Sequence, residues 1–363
     1  MAGGRSADRP LPCPRRATRA AGHDDHGAAD MPLRRLPMTA CLLALAACWS
    51  GAAHALTTCS ATMTHLTFGP VDPLGGLVDT TATINYQCTY SSGLLGNLYG
   101  VYARLCMSIG TGAQGSGVQP RQMISGSGDA MMFQIYRDAT RTQVWGSVDT
   151  PGTPPLQRDL QFTILGVGTT QTGTATVYGR VPAGQTGLGV GAYSNSFSGI
   201  HTRLSFRYNE ALLSLGTFPT DCGNANNGSF AFTASASVAP ACTVSATTQD
   251  FGAVSGLLRA AQDATSTVSL RCTYRAPWQV GLGLGQNAAG TARRMTGPGG
   301  LIDYELYRDL GRTQRWGTTL NVDTVTGTGT GATQSLTVYG RVPAQTPRTA
   351  GTYTDTIVVT VTY

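Results

Sequence analysis

Lysine is absent from this 363-residue chain, and all 25 of its basic residues are arginine. Glutamate occurs only at Glu210 and Glu305, and charged residues make up just 12% of the sequence. Seven arginines and four aspartates precede residue 56, leaving 18 arginines against 15 acids beyond it. A balance of +3 is too mild for a nucleic-acid surface. Histidine is also scarce, with His65 and His201 alone beyond residue 55, and neither a CxxC pair nor a GxSxG elbow occurs. A zinc site or a serine-hydrolase triad therefore lacks its usual residues, and neither enzymatic activity nor a cofactor is expected. A carboxylate pair for glycoside chemistry stays open, although Glu305 falls inside a repeated strand. No apolar run beyond residue 55 approaches the roughly 20 residues of a membrane span, and no long amphipathic helix is visible.

What the chain does have is glycine, 47 residues of it, with threonine, serine and valine in short runs. That composition reads as all-β structure rich in turns, and the length suffices for two domains with separate cores. Residues 31–55 have the form of a signal peptide: Arg34 and Arg35, an apolar stretch around residues 42–47, and the triplet Ala53-His54-Ala55. Residues 1–30 would sit awkwardly ahead of such a leader, so they are excluded from the fold, with translation starting at Met31. Leu45-Ala46-Ala47-Cys48 offers a rival lipoprotein-type processing site, but cleavage after Ala55 is favoured because the A-x-A triplet is well placed. The compartment is then oxidising.

Six cysteines follow the cleavage site, and six allow 15 connectivities. An internal repeat selects among them. "CSATMTHLTFG" from Cys59 and "CTVSATTQDFG" from Cys242 align, and each is followed by a second cysteine, Cys88 or Cys272. The expected bridges are one per copy, with Cys106 and Cys222 paired to each other because the second copy has no counterparts. The repeat continues through "FQIYRDATRTQVWGS" and "YELYRDLGRTQRWGT", through "TVYGRVPA" in both copies, and through "GAYSNSF" and "GTYTDTI". Aromatics kept in both copies, Trp145/Trp316 and Tyr178/Tyr339, are expected in core or turn packing. Arg180 and Arg341 are expected in ion pairs with acids such as Asp138 and Asp309.

This ordered set of motifs resembles the spore coat protein U domain, the module of archaic, Csu-type chaperone–usher pilus subunits. The second copy fits closely over residues 242–363, and the first fits with insertions over residues 59–208. The resemblance implies two tandem immunoglobulin-like β-sandwich domains, residues 56–238 and 239–363, the second lacking its final strand. It further implies a periplasmic chaperone, an outer-membrane usher and an adjacent pilin subunit that donates a strand.

The residues bear on that implication independently. The last strand of the second copy alternates, with Ile357, Val359, Val361 and Tyr363 on one face, and is expected to be an edge that accepts a donated strand. In the first copy 33 residues separate the equivalent strand from Cys242, and among them Phe230, Phe232, Ala234, Ala236 and Val238 alternate as a strand would. The first domain is therefore expected to supply its own final strand, against the alternatives of a plain linker or a tolerated solvated edge. Only Leu56, Thr57 and Thr58 separate the cleavage site from Cys59, too few for a donor strand, and the expectation is a pilus-tip adhesin at the cell surface that mediates attachment and biofilm formation. The first copy is longer by 13 residues in one interval and 10 in another. Leu94, Leu95, Leu98 and Tyr99, Leu156 and Leu160, and Leu188 and Val190 lie on the glycine- and proline-rich segments that differ, and are expected to present an apolar patch to an abiotic or host surface. That they fold back over the sandwich ends is the competing reading. A glycan-binding tip using Tyr99, Trp145 or Asn97, and a structural coat protein, are the rival functions.

Overall fold

A computed structural model describes residues 56–91, 99–162, 169–212, 215–254 and 258–363, whose regular structure is β apart from one 3-10 turn at Gly199–His201. The proposed leader, Cys48 and residues 1–30 lie outside the described residues.

The first copy holds β1 (Leu56–Met63), β2 (Leu66–Pro70), β3 (Val78–Ser91), β4 (Tyr99–Ile109), β5 (Arg121–Ser125), β6 (Ala130–Tyr136), β7 (Leu156–Phe162), β8 (Thr169–Val181), β9 (Gly191–Phe197), β10 (Thr202–Leu212) and β11 (Phe232–Val238). They form an eight-stranded sheet in the order β1-β3-β8-β6-β5-β9-β11-β2 and a three-stranded sheet β10-β4-β7. Period-2 alternation aims one face of each strand inward. Ala82 and Ile84 of β3 and Ala175 and Val177 of β8 meet Leu105 and Met107 of β4 in a single core.

The second copy holds β12 (Cys242–Ala246), β13 (Gln262–Cys272), β14 (Pro277–Leu282), β15 (Arg293–Gly297), β16 (Gly300–Tyr307), β17 (Val325–Thr328), β18 (Thr333–Val342) and β19 (Val359–Thr362). Its sheets run β12-β13-β18-β16-β15 and β17-β14-β19. The five-stranded sheet repeats the first five strands of its eight-stranded counterpart. The three extra members there are β9, β11 and β2.

All three disulfides join the expected partners, Cys59–Cys88, Cys106–Cys222 and Cys242–Cys272. The two repeated bridges each tie an antiparallel pair at directly opposed residues. The third fastens β4 to the segment that precedes β11.

The repeated tryptophans are fully buried, and each Nε1 donates to a main-chain carbonyl at 2.8 Å, Trp145 to Met107 and Trp316 to Val280. The repeated arginines pair differently from expectation. Arg180 grips Asp79 and Arg341 grips Asp263 through two bonds each of 2.7–2.8 Å, straight across from β8 to β3 and from β18 to β13. Asp138 and Asp309 instead accept from turn amides, those of Thr142 and Gln143 and of Thr313 and Gln314. They hold the hairpin in which Arg141 (φ 57°) and Arg312 (φ 55°) adopt the left-handed conformation and lie over Tyr178 and Tyr339. The YRD…RTQxWG motif is thus a turn device.

Sequence reasoning missed two fully buried arginines, Arg121 and Arg293. Arg121 donates to the carbonyls of Gly110 and Trp145, both at 2.8 Å, and to Gln134 Oε1 at 2.6 Å. Arg293 donates to the matching carbonyls of Gly283 and Trp316, but its third partner is the carboxylate of Glu305. Burial opposes the charge in both. It pulls Arg121 down to about 9, and lowers Arg293 too, with Glu305 working in the opposite direction.

Candidate functional site: an open groove in the second copy

In the first copy β11 runs antiparallel to β9, from Phe232↔Phe197 to Val238↔Gly191, and parallel to β2, with Ala234 beside Leu66. Its inward residues Phe232, Ala234, Ala236 and Val238 are all buried, as is Phe230 just ahead of it. Phe232 stacks on Phe197 at 4.5 Å between ring centroids, and Phe230 stacks on Trp145 at 6.0 Å. His65 Nδ1 accepts the Thr233 amide at 3.0 Å. This strand draws β2 and β9 into the sheet.

The repeat places residues 249–254 where β2 lies and residues 351–357 where β9 lies. No strand of the described residues lies between them. Thr354 exchanges two hydrogen bonds with Thr296 of β15 on one side, and a groove of about 390 Å³ opens on the other. Phe251, Tyr304 and Ile357 line it, at the positions that Phe68, Phe133 and Phe197 occupy around β11. Met295, Leu306 and Val338 complete its apolar floor. The effect of the missing cover is measurable at one residue pair: Val71, whose amide bonds Ser237 of β11, is 5% exposed, whereas its counterpart Val254 is 41% exposed.

The groove wall is braced by polar contacts. Asp355 accepts from the Gln286 amide at 2.9 Å and from the Tyr304 hydroxyl at 2.7 Å. Burial, followed by that bond to a carboxylate, pushes the Tyr304 hydroxyl far above its ordinary range. In the first copy Asn195 braces β9, with its Nδ2 donating to the carbonyls of Thr111 and Gln122.

The four residues expected at the accepting edge divide between two places. Ile357 and Val359 line the groove, while Val361 lies farther along β19, paired with Val280 of β14, and Tyr363 is exposed beyond the strand. The apolar segments of the first copy also divide. Leu94, Leu95 and Leu98 lie outside the described residues, as does Asn97, while Tyr99 opens β4 and is 39% exposed. Leu156 and Leu160 are core residues, contrary to expectation: the proline-rich segment leads into β7, which pairs with β4 and turns Leu156, Leu160 and Phe162 inward. Leu188 is buried as well, and Val190, which is exposed, follows Gly189, where a bridge forms to Tyr274 of the second copy. Arg275 reaches back from there to Asp129 at 3.1 Å. That segment therefore belongs to the junction between the copies. Trp145 is sealed in the core and is out of reach of any glycan.

The family model of the Spore Coat Protein U domain matches residues 45–198 and 229–360. Among solved structures, the chain is similar to the chaperone–tip adhesion subunit pre-assembly complex from archaic chaperone–usher Csu pili of Acinetobacter baumannii, with 16% identity over 84% of this chain and 100% of that one, at a TM-score of 0.45. It is also similar to the CupB6 tip adhesin from Pseudomonas aeruginosa, with 12% identity over 84% of this chain and 94% of that one, at a TM-score of 0.33. The curated proteins contain no match. With the family model covering most of its length in two successive blocks, the chain belongs to the Spore Coat Protein U domain family.

Proposed function

We propose that this chain is the tip adhesin of an archaic chaperone–usher pilus, with an adhesin-like domain over residues 56–238 and a pilin domain over residues 239–363 that takes its missing strand from the adjacent subunit. The observation that carries the reading is the pair of equivalent sites. One copy of the domain holds a strand between β2 and β9, and the other holds a groove lined from the equivalent positions with no strand of the described residues in it. An open edge flanking apolar side chains is an aggregation hazard unless it is covered, and an added strand satisfies the main chain while its alternate side chains fill the floor. A periplasmic chaperone would occupy the groove first, the usher would exchange it, and the neighbouring subunit would replace it. Export through the periplasm to the cell surface follows, with attachment and biofilm formation as the outcome. Contact with a surface is assigned to the segment ending at Tyr99, with Leu94, Leu95 and Leu98.

The test is co-expression of residues 31–363 with an archaic pilus chaperone. A one-to-one complex is expected, lost when Ile357 and Val359 are replaced by Arg, whose charge cannot be buried in the groove. A soluble, cooperatively folding monomer that ignores the chaperone would overturn the reading.

A further inference from the structure

We infer that Gln249 selects the incoming strand, favouring a small hydrogen-bonding side chain beside it and disfavouring the strand this chain carries as β11. The inference rests on the groove reading above and adds a chemical requirement to it. The two copies seat this position identically. A Cβ on Gly179 would meet Phe68 at 2.8 Å and Leu66 at 3.0 Å, and a Cβ on Gly340 would meet Gln249 Nε2 at 2.8 Å and Phe251 at 2.9 Å. Gln249 therefore lies where Leu66 lies, over the bare backbone of a repeated glycine.

Leu66 is fully buried beside Ala234, an apolar pair. Gln249 puts an amide there, and both of its polar atoms, Oε1 and Nε2, are buried without a hydrogen-bond partner. It lines the groove. An amide offers two donors and an acceptor, and an apolar strand would leave it as unsatisfied as it stands in the open groove, whereas a hydrogen-bonding side chain would relieve it. A strand seated in the register of β11 brings one residue next to Gln249, the one equivalent to Ala234. A serine, threonine or asparagine there can pair with the amide, whereas alanine cannot.

A second replacement bears on the main chain of the strand rather than on its side chains. His65, which accepts the amide of Thr233, is Thr248 in the second copy. The groove thus resembles the β11 site in shape and differs from it in polarity beside the position of Ala234. The consequence is discrimination between strands, which keeps the β11 of one molecule from capping the groove of another.

Two synthetic peptides test this on residues 56–363: the sequence of residues 229–238, and the same peptide with Ala234→Ser. Binding is read by fluorescence anisotropy. The serine peptide is expected to bind about tenfold more tightly, the lower part of the range for satisfying a buried amide. In the Gln249→Leu chain the order is expected to reverse, as Leu66 beside Ala234 shows that an apolar pair fits. Equal affinities in the unmodified chain would overturn the role of Gln249 while leaving the groove intact. Binding of neither peptide would overturn the groove reading itself.

Discussion

Replacing Phe232 by Ala tests whether β11 is an integral strand of the first copy. The ring is buried, stacks on Phe197 at 4.5 Å with an interplanar angle of 4°, and faces Trp145 at 6.4 Å. Deleting such a side chain removes its transfer energy and leaves a cavity, a loss of about 3 to 5 kcal/mol. For a unit of this size each kcal/mol moves the midpoint by roughly 2 to 4 °C, so the transition of the first copy is expected to fall by about 6 to 20 °C. Calorimetry of residues 56–363 reads it, because the two copies have separate cores and only one is altered. The matched change, Ile357→Ala, removes the residue that stands where Phe197 does. One flank of Ile357 faces the groove, so its loss is expected to cost only about 1 kcal/mol until a strand is bound. A Phe232→Ala shift below about 2 °C would refute the reasoning, since β11 would then be a linker laid on the surface.

Gln134→Glu is expected to lower the midpoint of the first copy, by an amount equivalent to about 1 kcal/mol: it gives buried Arg121 a counter-charge, but it sets a carboxylate oxygen against the Val118 carbonyl to which Gln134 Nε2 donates at 2.9 Å, and Val144 stands where Arg315 supports Glu305 in the second copy; a raised midpoint in thermal denaturation would contradict this. Asp79 and Asp263 are held below the ordinary carboxylate range by their bonds to Arg180 and Arg341. Their contribution is therefore complete above pH 3.8 and is lost as the pH falls through their folded values. Urea titrations between pH 7 and pH 3 are expected to show that loss, smaller in Asp79→Asn, and an equal loss in that variant would rule the pair out as its cause. With fibre assembly intact, replacing Leu94, Leu95, Leu98 and Tyr99 by Ser is expected to reduce attachment to apolar surfaces severalfold, and unchanged attachment would remove this segment from the adhesive role.

The fold was legible where its signals are local or repeated. The Cys59–Cys88 and Cys242–Cys272 bridges followed from the duplication, and the alternation from Phe230 to Val238 marked a strand before any pairing was known. Partners set by register were not legible. Asp79 faces Arg180 because β3 and β8 align at that residue, information that a single chain read in order does not hold. The burial of Leu156 and Leu160 was masked by the prolines before them, which suggested a loop, although Leu156, Leu160 and Phe162 share the even positions of a period-2 pattern. Arg121 was invisible for a different reason: an arginine is buried only when carbonyls converge on it, and here they come from three separate segments. Gln249 was visible as the partner of Leu66 in the aligned repeat, but its significance appeared only with the groove.

Amide hydrogen exchange on residues 56–363, before and after addition of a strand peptide, tests the central claim most directly. In the first copy β11 covers residues 66–71 and 191–197. Thr354 directs its amide toward Thr296, so the alternation of an extended chain points those of Tyr353, Asp355 and Ile357 into the groove. The account predicts fast exchange at these three amides and across residues 249–254 in the free chain, slow exchange at their first-copy counterparts, and protection gained at the groove positions alone once the peptide binds. Slow exchange there before any peptide is added, or protection appearing elsewhere, would contradict it.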